Sequence, residues 1–457
     1  MPKADLIIIG NGMACGRLLD EILKRDADRF RITVFGAEGY ANYNRIMLSP
    51  VLAGEITAEQ IVTHSEQWYR DHQITLHSDD PVIEIDAENQ TLTCQSGSLF
   101  SYDTLVLATG SEPVIPPAAR DCDLEGILSF RNLKDIERIM QKVRQSRHAT
   151  VVGGGLLGLE AAWGLRQQGL EVTVIHRGGW LLNRQLDPAA GELLKQSLES
   201  RGIRFHLNAE IHHFATNPGI SSDESSALLS AGSKSKASPT PKTLQKVTLS
   251  NGTEINTDLA VIAIGISPNH QLAKISGLDC DRGIRVNDRM QSSHQRIYAL
   301  GECTQFGNHT FGLVAPLWDQ AAVLADQLCQ TADSRFSVQP CATKLKVSGI
   351  DLFSAGEFLD SPETESVVCQ DSSSGVYRKL IFRNQVLTGA VLYGAVNDGN
   401  WYFELIQQSQ QIQHLSPDLI FGRRYCDAEL ITPLTPAGVE EIPTSTPELR
   451  LATGATL

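Results

Sequence analysis

The chain has 457 residues, of which 42% are apolar and 20% charged, a length that suits two to four folded domains and a balance that supplies a large core. Its formal net charge of −14 disfavours phosphate backbones and anionic lipid, so nucleic acid and membranes are not expected partners. A basic protein or a redox partner with a positive rim is compatible with that charge.

The opening MPKADLIIIGNG holds only a short apolar run, so no secretory leader is expected, and no stretch reaches the roughly 18 apolar residues of a membrane span. Leu6 to Leu19 (LIIIGNGMACGRLL) reads as a β-branched strand, a glycine turn and a helix, with Arg31 to Phe35 (RITVF) as the next strand. Tyr102 to Gly110 (YDTLVLATG) is a buried strand closing on a glycine, and Pro113, Pro116 and Pro117 break the chain before a second domain. Ala149 to Leu165 (ATVVGGGLLGLEAAWGL) followed by Glu171 to Ile175 (EVTVI) repeats the strand–turn–helix–strand order.

Residues 217–242 are rich in Ser, Ala, Lys and Pro and read as a flexible surface insertion without chemistry. Asp258 to Pro268 and Arg296 to Glu302 are further strands that end at glycines. A helix is expected from Pro316, with proline at its first position and Leu317, Ala321, Leu324 and Leu328 on one face. After Cys341 the pattern changes to short strands, and the tail beyond Thr432, with four prolines, reads as loose. The sum is an α/β chain: two Rossmann-like dinucleotide-binding domains and a small α+β C-terminal domain.

Nine cysteines are scattered without CxxC spacing or a Cys/His cluster. That argues against a disulfide scaffold, a zinc site or an iron–sulfur cluster within these residues, so no metal is expected. A reducing cytoplasm fits.

Gly153-x-Gly155-x-x-Gly158 is a full dinucleotide fingerprint between two strands. The first glycine permits the turn, the second lets the backbone approach a pyrophosphate, and the third allows tight helix–strand packing. The earlier run, Gly10-Asn11-Gly12-Met13-Ala14-Cys15-Gly16, places Cys15 at the third position, where it reads as a packing residue. The acid that binds a ribose falls at Glu38 in the first unit. In the second unit His176 and Arg177 stand there instead. A cation suits the 2′-phosphate of NADPH, and a solvated loop arginine is the plain alternative.

Two dinucleotide sites in one chain have a chemical logic: a reduced nicotinamide gives hydride and a flavin accepts it. The helix opening near Pro316 is then either a dipole for reduced flavin or an ordinary packing helix. Glu160 either complements the dipole of the second fingerprint helix or sits beside the nicotinamide.

Gly10–Gly16, Ala108-Thr109-Gly110, Gly153–Glu160 and Gly301-Glu302 follow the order seen in two-dinucleotide-binding flavoprotein reductases, over residues 4 to 330. Tyr43-Asn44-Arg45-Ile46-Met47-Leu48-Ser49, Gly301-Glu302-Cys303 and Phe311-Gly312-Leu313-Val314-Ala315-Pro316 narrow the match. They resemble the flavin module of assimilatory nitrite reductase large subunits and the electron-transfer subunit of assimilatory nitrate reductase. KLKVSGIDLFSAG and DGNWYFELI extend this resemblance to about residue 405.

The resemblance implies FAD at Gly10, Gly12, Met13, Ala14, Glu38, Arg45, Ala108, Thr109, Gly110, Gly301, Glu302, Pro316 and Leu317. It implies NADH or NADPH at Gly153, Gly155, Gly158, His176 and Arg177, with Glu160 near the nicotinamide. The implied domains are an FAD domain in two segments, 1–116 and 253–332, and an NAD(P) domain at 117–252. A small domain at 335–425 and a tail at 426–457 complete the chain.

The family passes electrons to iron–sulfur centres. A sirohaem or cluster domain is not recognised in these residues, so the expected acceptor is a separate nitrate or nitrite reductase polypeptide. Self-association is left open. Pro50 stands where many ferredoxin reductases have lysine, and no cysteine follows Tyr43. Neither favours ferredoxin reduction or thiol–disulfide chemistry. The alternatives are a stand-alone rubredoxin or ferredoxin reductase, an NAD(P)H oxidase, and a flavin-bound regulatory protein without turnover.

Overall fold

The computed structural model describes residues 3–120, 122, 124–216, 242–347, 349–371, 373–409, 417–426 and 451–453. In chain order the elements that build the candidate sites are β1 (Ala4–Ile9), α1 (Met13–Asp26), β2 (Phe30–Gly36), α2 (Leu48–Ala53), β3 (Thr75–Ser78) and β4 (Thr104–Leu107). Next come β5 (Ile127–Ser129), β6 (His148–Val152), α3 (Leu156–Gln167), β7 (Glu171–Ile175), β8 (Ile203–His206), β9 (Leu259–Ile262), β10 (Ile297–Ala299) and α4 (Val314–Cys329).

The chain forms two compact units. One comprises Met1–Met47, Thr57–Glu112 and Ile266–Leu457, and the other Leu48–Ile56 and Pro113–Gly265. The first unit holds a parallel sheet of order β10-β4-β1-β2-β3. Its central strand explains the uniform Leu-Ile-Ile-Ile run. Leu6 and Ile8 enter a core cluster with Leu18 and Leu19 of α1 and with Leu317, Ala321, Leu324 and Leu328 of α4. Ile7 and Ile9 enter a separate cluster on the opposite face. Alternate side chains of a strand point to opposite faces, so a doubly covered strand needs apolar residues at every position.

The second unit repeats the plan with a parallel sheet of order β5-β9-β6-β7-β8. Val151, Val174 and Val261 are fully buried in it.

The C-terminal sheet has strands β11 (Ala342–Val347), β12 (Ile350–Gly356), β13 (Glu365–Asp371), β14 (Val376–Arg383), β15 (Val386–Tyr393) and β16 (Leu451–Thr453), in the order β13-β14-β15-β12-β11-β16. Asn384 and Gln385 join β14 to β15 with φ of 49° and 64°, the backbone of a two-residue type I′ hairpin. A final helix, α5 (Gly399–Gln408), covers the sheet with Trp401, Tyr402 and Phe403 against Leu380 and Phe353.

Two expectations change. The helix expected from Pro316 begins at Val314, with Leu313 as its cap, so Pro316 is its third residue. The first four N–H groups of a helix have no partner within it, and proline is harmless at any of those places. The tail contributes β16, parallel to β11, and its other residues beyond Cys426 lie outside the described ones. So does the insertion expected at 217–242, apart from Lys242. No helix among the described residues is long and apolar enough to cross a membrane.

Leu380 is fully buried in the C-terminal core. Leu380→Ala is expected to cost about 2–5 kcal/mol through lost contacts and the cavity left behind, measured by urea unfolding followed by circular dichroism.

Candidate functional site

Both glycine turns obey one constraint. Gly10 has φ of 111°, and a Cβ on it would lie 2.1 Å from the backbone oxygen of Ala108. Gly153 has φ of 124°, and its Cβ would lie 2.2 Å from the oxygen of Ala263. Each turn is pressed against the end of the neighbouring strand, which only glycine allows. Gly12 and Gly155 then cap α1 and α3 in nearly the same extended backbone, and neither helix has a side-chain cap. A Cβ at Gly12 or Gly155 would meet nothing within 4 Å.

The first-turn N–H groups therefore open onto room at both sites, and Met13 and Ala14 supply the first of them at α1. Such a terminus attracts anions, and a pyrophosphate suits it. The residues fit a dinucleotide in each unit. At the third fingerprint position Gly158 is obligatory, since its Cβ would fall 1.9 Å from the oxygen of Gly153. Cys15 fills the matching place as a fully buried packing residue, and burial raises its thiol pKa far above the ordinary range.

In the first unit Glu38 and Arg45 come together. The Arg45 guanidinium binds Glu38 Oε1, the Tyr43 hydroxyl donates to Oε2 at 2.7 Å, and Arg45 lies over the Tyr43 ring at 5.3 Å. At the end of β4, Thr109 Oγ1 donates to the Asn269 oxygen at 2.6 Å, and Gly110 accepts from Asn269 N at 2.9 Å. Ser111 Oγ donates to Glu302 Oε2 at 2.8 Å. Gly301 N donates to the buried Gln320 on α4 at 2.7 Å. The Leu317 side chain belongs to the core, so what it can offer a cofactor is its backbone N–H at the start of α4. Pro316 has none to offer.

The sequence reading missed the supports beneath these residues. Asn42, 2% exposed, donates from Nδ2 to the Gly12 oxygen at 2.7 Å and the Asn11 oxygen at 3.1 Å. Its Oδ1 accepts from Thr63 at 2.5 Å, and His64 Nε2 pairs with Asp20 at 3.0 Å. With its carbonyls tied down, the turn directs its N–H groups outward. Gln320 and Asn42 are polar residues at buried places, and no sequence period marks them.

In the second unit His176 is buried, and its Nδ1 accepts from Gly154 N at 3.1 Å. The ring packs so closely that a Cβ on Gly154 would lie 2.7 Å from His176 Cγ. His176 thus props the glycine turn from behind rather than meeting a ribose. Burial, its largest influence, depresses its pKa. Accepting at Nδ1 places the remaining proton on Nε2. Arg177 is exposed, and no carboxylate among the described residues pairs with it.

Glu160 is the fifth residue of α3, beyond the first turn, so the dipole role does not suit it. Its Oε2 accepts from Ser49 Oγ at 2.6 Å. Burial pushes its carboxyl up to about 7, against the pull of the Ser49 bond. Among the described residues no disulfide forms, and no group of three His, Cys, Asp or Glu side chains is placed to hold a metal.

The chain is 40% identical over 416 residues to "Nitrite reductase [NAD(P)H]" of Bacillus subtilis, covering 91% of this chain and 49% of that one. It is 36% identical to the "Assimilatory nitrate reductase electron transfer subunit" of the same organism, covering 92% and 51%. The chain thus spans about half the length of these relatives. It is 30% identical to "Nitric oxide reductase FlRd-NAD(+) reductase" of Vibrio vulnificus, covering 85% of this chain and 94% of that one. The covalent putidaredoxin reductase–putidaredoxin complex shares the fold, with a TM-score of 0.77 at 22% identity over 92% of this chain and 96% of that one.

Asn42→Ala releases two carbonyls of the first glycine turn. At about 1 kcal/mol for each hydrogen bond, FAD should bind ten- to a hundredfold more weakly, read as the ratio of flavin to protein absorbance after gel filtration. Residues 341–410 match the rubredoxin NAD+ reductase C-terminal domain. Residues 4–323, with both glycine turns, match the pyridine nucleotide-disulphide oxidoreductase model, and the chain belongs to that family of FAD- and NAD(P)H-dependent oxidoreductases.

Proposed function

We propose that this chain takes hydride from NAD(P)H onto FAD and passes the electrons to the iron–sulfur centres of a nitrate or nitrite reductase in the cytoplasm. The observation that carries the reading is the pair of uncapped helix N-termini at Gly12 and Gly155, one in each unit. Each ends a turn that only glycine can make. The names and identities of the Bacillus subtilis relatives support the choice of acceptor.

In this reading Gly10, Gly12, Met13 and Ala14 hold the FAD pyrophosphate, and Glu38, fixed by Arg45 and Tyr43, takes the adenosine ribose. Ala108, Thr109 and Gly110 line the flavin side, Gly301 and Glu302 hold the ribityl chain, and the N–H of Leu317 faces the pyrimidine. Gly153, Gly155 and Gly158 hold the nicotinamide dinucleotide, with Arg177 at the adenosine end and Glu160 toward the nicotinamide. Bound FAD supplies a hydride acceptor that can release electrons singly. The protein fixes orientation: Ser111 sets Glu302, Gln320 sets Gly301, and His176 sets Gly154.

A second reading is a stand-alone reductase of a small redox protein. The 94% coverage of the Vibrio vulnificus reductase favours it. The two differ in acceptor: stopped-flow reoxidation of the reduced flavin should be fast with the iron–sulfur protein of the first reading and slow with rubredoxin. Both predict anaerobic bleaching near 450 nm by NADH or NADPH, and a flavin that neither coenzyme bleaches rejects both.

Gly155→Val should retain flavin colour yet lose bleaching, because its side chain enters the space over the α3 terminus. Arg177→Ala should weaken NADPH about tenfold or more, the scale of one charge-assisted contact, and leave NADH unchanged. Equal effects on both coenzymes would remove Arg177 from the 2′-phosphate.

A further inference from the structure

Gly16 lies one turn into α1, and a Cβ there would fall 2.9 Å from Asn42 Oδ1 and 3.0 Å from His64 Cε1. Gly12, Gly16 and Asp20 are spaced four apart and so share a helix face. Against that face stands a short antiparallel ribbon in which Asn42 is the cross-strand partner of His64. Both residues are buried, at 2% and 8% exposure. The missing side chain at Gly16 is what lets the pair reach α1.

The hydrogen bonds of this cluster have forced directions. Asn42 Nδ2 faces the oxygens of Asn11 and Gly12, so Oδ1 is turned toward Thr63 and His64. A flipped amide would set oxygen against two carbonyls. Thr63 Oγ1 has one proton, and its 2.5 Å contact with Asn42 Oδ1 requires it, since an amide oxygen has none to give. His64 Nδ1 lies 3.3 Å from Thr63 Oγ1 and 3.4 Å from Asn42 Oδ1. Both of those oxygens present lone pairs to it. On the other side of the ring, Nε2 lies 3.0 Å from Asp20 Oδ1, and a carboxylate only accepts.

The other polar groups around the ring are engaged elsewhere. Arg17 of α1 pairs with Glu21, Tyr69 donates to Asn11 Oδ1, Arg70 pairs with Glu66, and His72 Nδ1 bonds the Trp68 oxygen. The Trp68 ring packs against His64 edge to face, with centroids 4.2 Å apart.

We propose that His64 is a positioning residue for FAD: its ring carries a proton on each nitrogen, one donated to Asp20 and one to the oxygens of Asn42 and Thr63. The proposal rests on the reading that the α1 terminus holds the FAD pyrophosphate. With Nδ1–H and Thr63 both directed at Oδ1, the Asn42 amide cannot rotate, and Nδ2 stays on the carbonyls of the glycine turn. The N–H groups of that turn are thereby kept facing the cofactor. A bare Nδ1 would set one buried lone pair against two others and favour rotation of the amide away from the turn. Asp20, with its side chain 38% exposed, supplies the counter-charge.

Nitrogen-15 NMR of histidine-labelled, flavin-loaded protein near neutral pH should show both His64 ring nitrogens protonated, the signals being assigned by their loss in His64→Asn. A bare nitrogen at either position overturns the proposal. In Asp20→Asn the new amide can donate to Nε2, so the proton that stays should be the one on Nδ1, where Asn42 needs it. A ring that keeps only Nε2–H in that variant also overturns it, whatever becomes of the folding of His64→Ala. FAD release from the holoprotein on dilution, followed by flavin fluorescence, should show His64→Ala holding FAD about tenfold more weakly, the scale of one hydrogen bond to a charged group. The same change made in Asn42→Ala should add less than about twofold, because no amide is left to orient. His64→Asn, whose amide nitrogen falls where Nδ1 lies, should restore most of the affinity. A histidine that only fills space gives additive losses and no rescue, and either result overturns the proposal. If the folded wild type binds no flavin, the FAD reading of α1 fails instead.

Discussion

Gly10 and Gly153 sit with positive φ against the carbonyls of Ala108 and Ala263, at distances no side chain tolerates. That close approach decides where α1 and α3 begin. It brings each helix N-terminus up at the C-terminal edge of a parallel sheet, where no side chain among the described residues caps the first N–H groups. Unpaired backbone donors are costly to leave unsatisfied. In the proposed reading a dinucleotide completes the hydrogen bonding of each turn, so that binding and folding share one geometric origin.

The two units stabilise this arrangement with different chemistry. In the first, Asn42 draws the turn's carbonyls down, with Thr63 holding its own oxygen. In the second, an imidazole stands in the place usual for an acid and accepts the N–H of Gly154. His176 must be neutral to do so, and its burial keeps it neutral. Arg177 is thereby left as the outward-facing polar residue at the end of β7. In the proposed reading this substitution ties the rigidity of the turn and the choice of coenzyme to neighbouring positions.

The α/β class and the two fingerprints were legible because their signals are local. Strand, glycine turn and helix succeed one another within about twenty residues, and Leu6–Ile9 declares a doubly covered strand by its composition. The pairing of Arg45 with Glu38 is short-range as well, yet the sequence reading took the two residues separately and did not foresee it. What escaped the sequence reading are contacts that close across long separations. Asn42, Gln320 and Ser49 are ordinary polar residues until the fold brings Gly12, Gly301 and Glu160 to them. His176 escaped differently: its position was read correctly, but the side chain turns inward because Gly154 leaves room for the ring. The start of α4 two residues early shows how little proline discriminates among the first places of a helix.

The segment Leu48–Ile56 belongs with the second unit although the sequence around it builds the first. Domain exchange among homologues is usually planned by cutting at crossover loops. A graft of residues 113–265 alone would leave Gly164 without the Leu52 side chain that packs on it, and the Gln168 amide without its acceptor, the Leu52 oxygen. Recombination that respects this architecture must carry a remote helical clip along with the rest of the second unit.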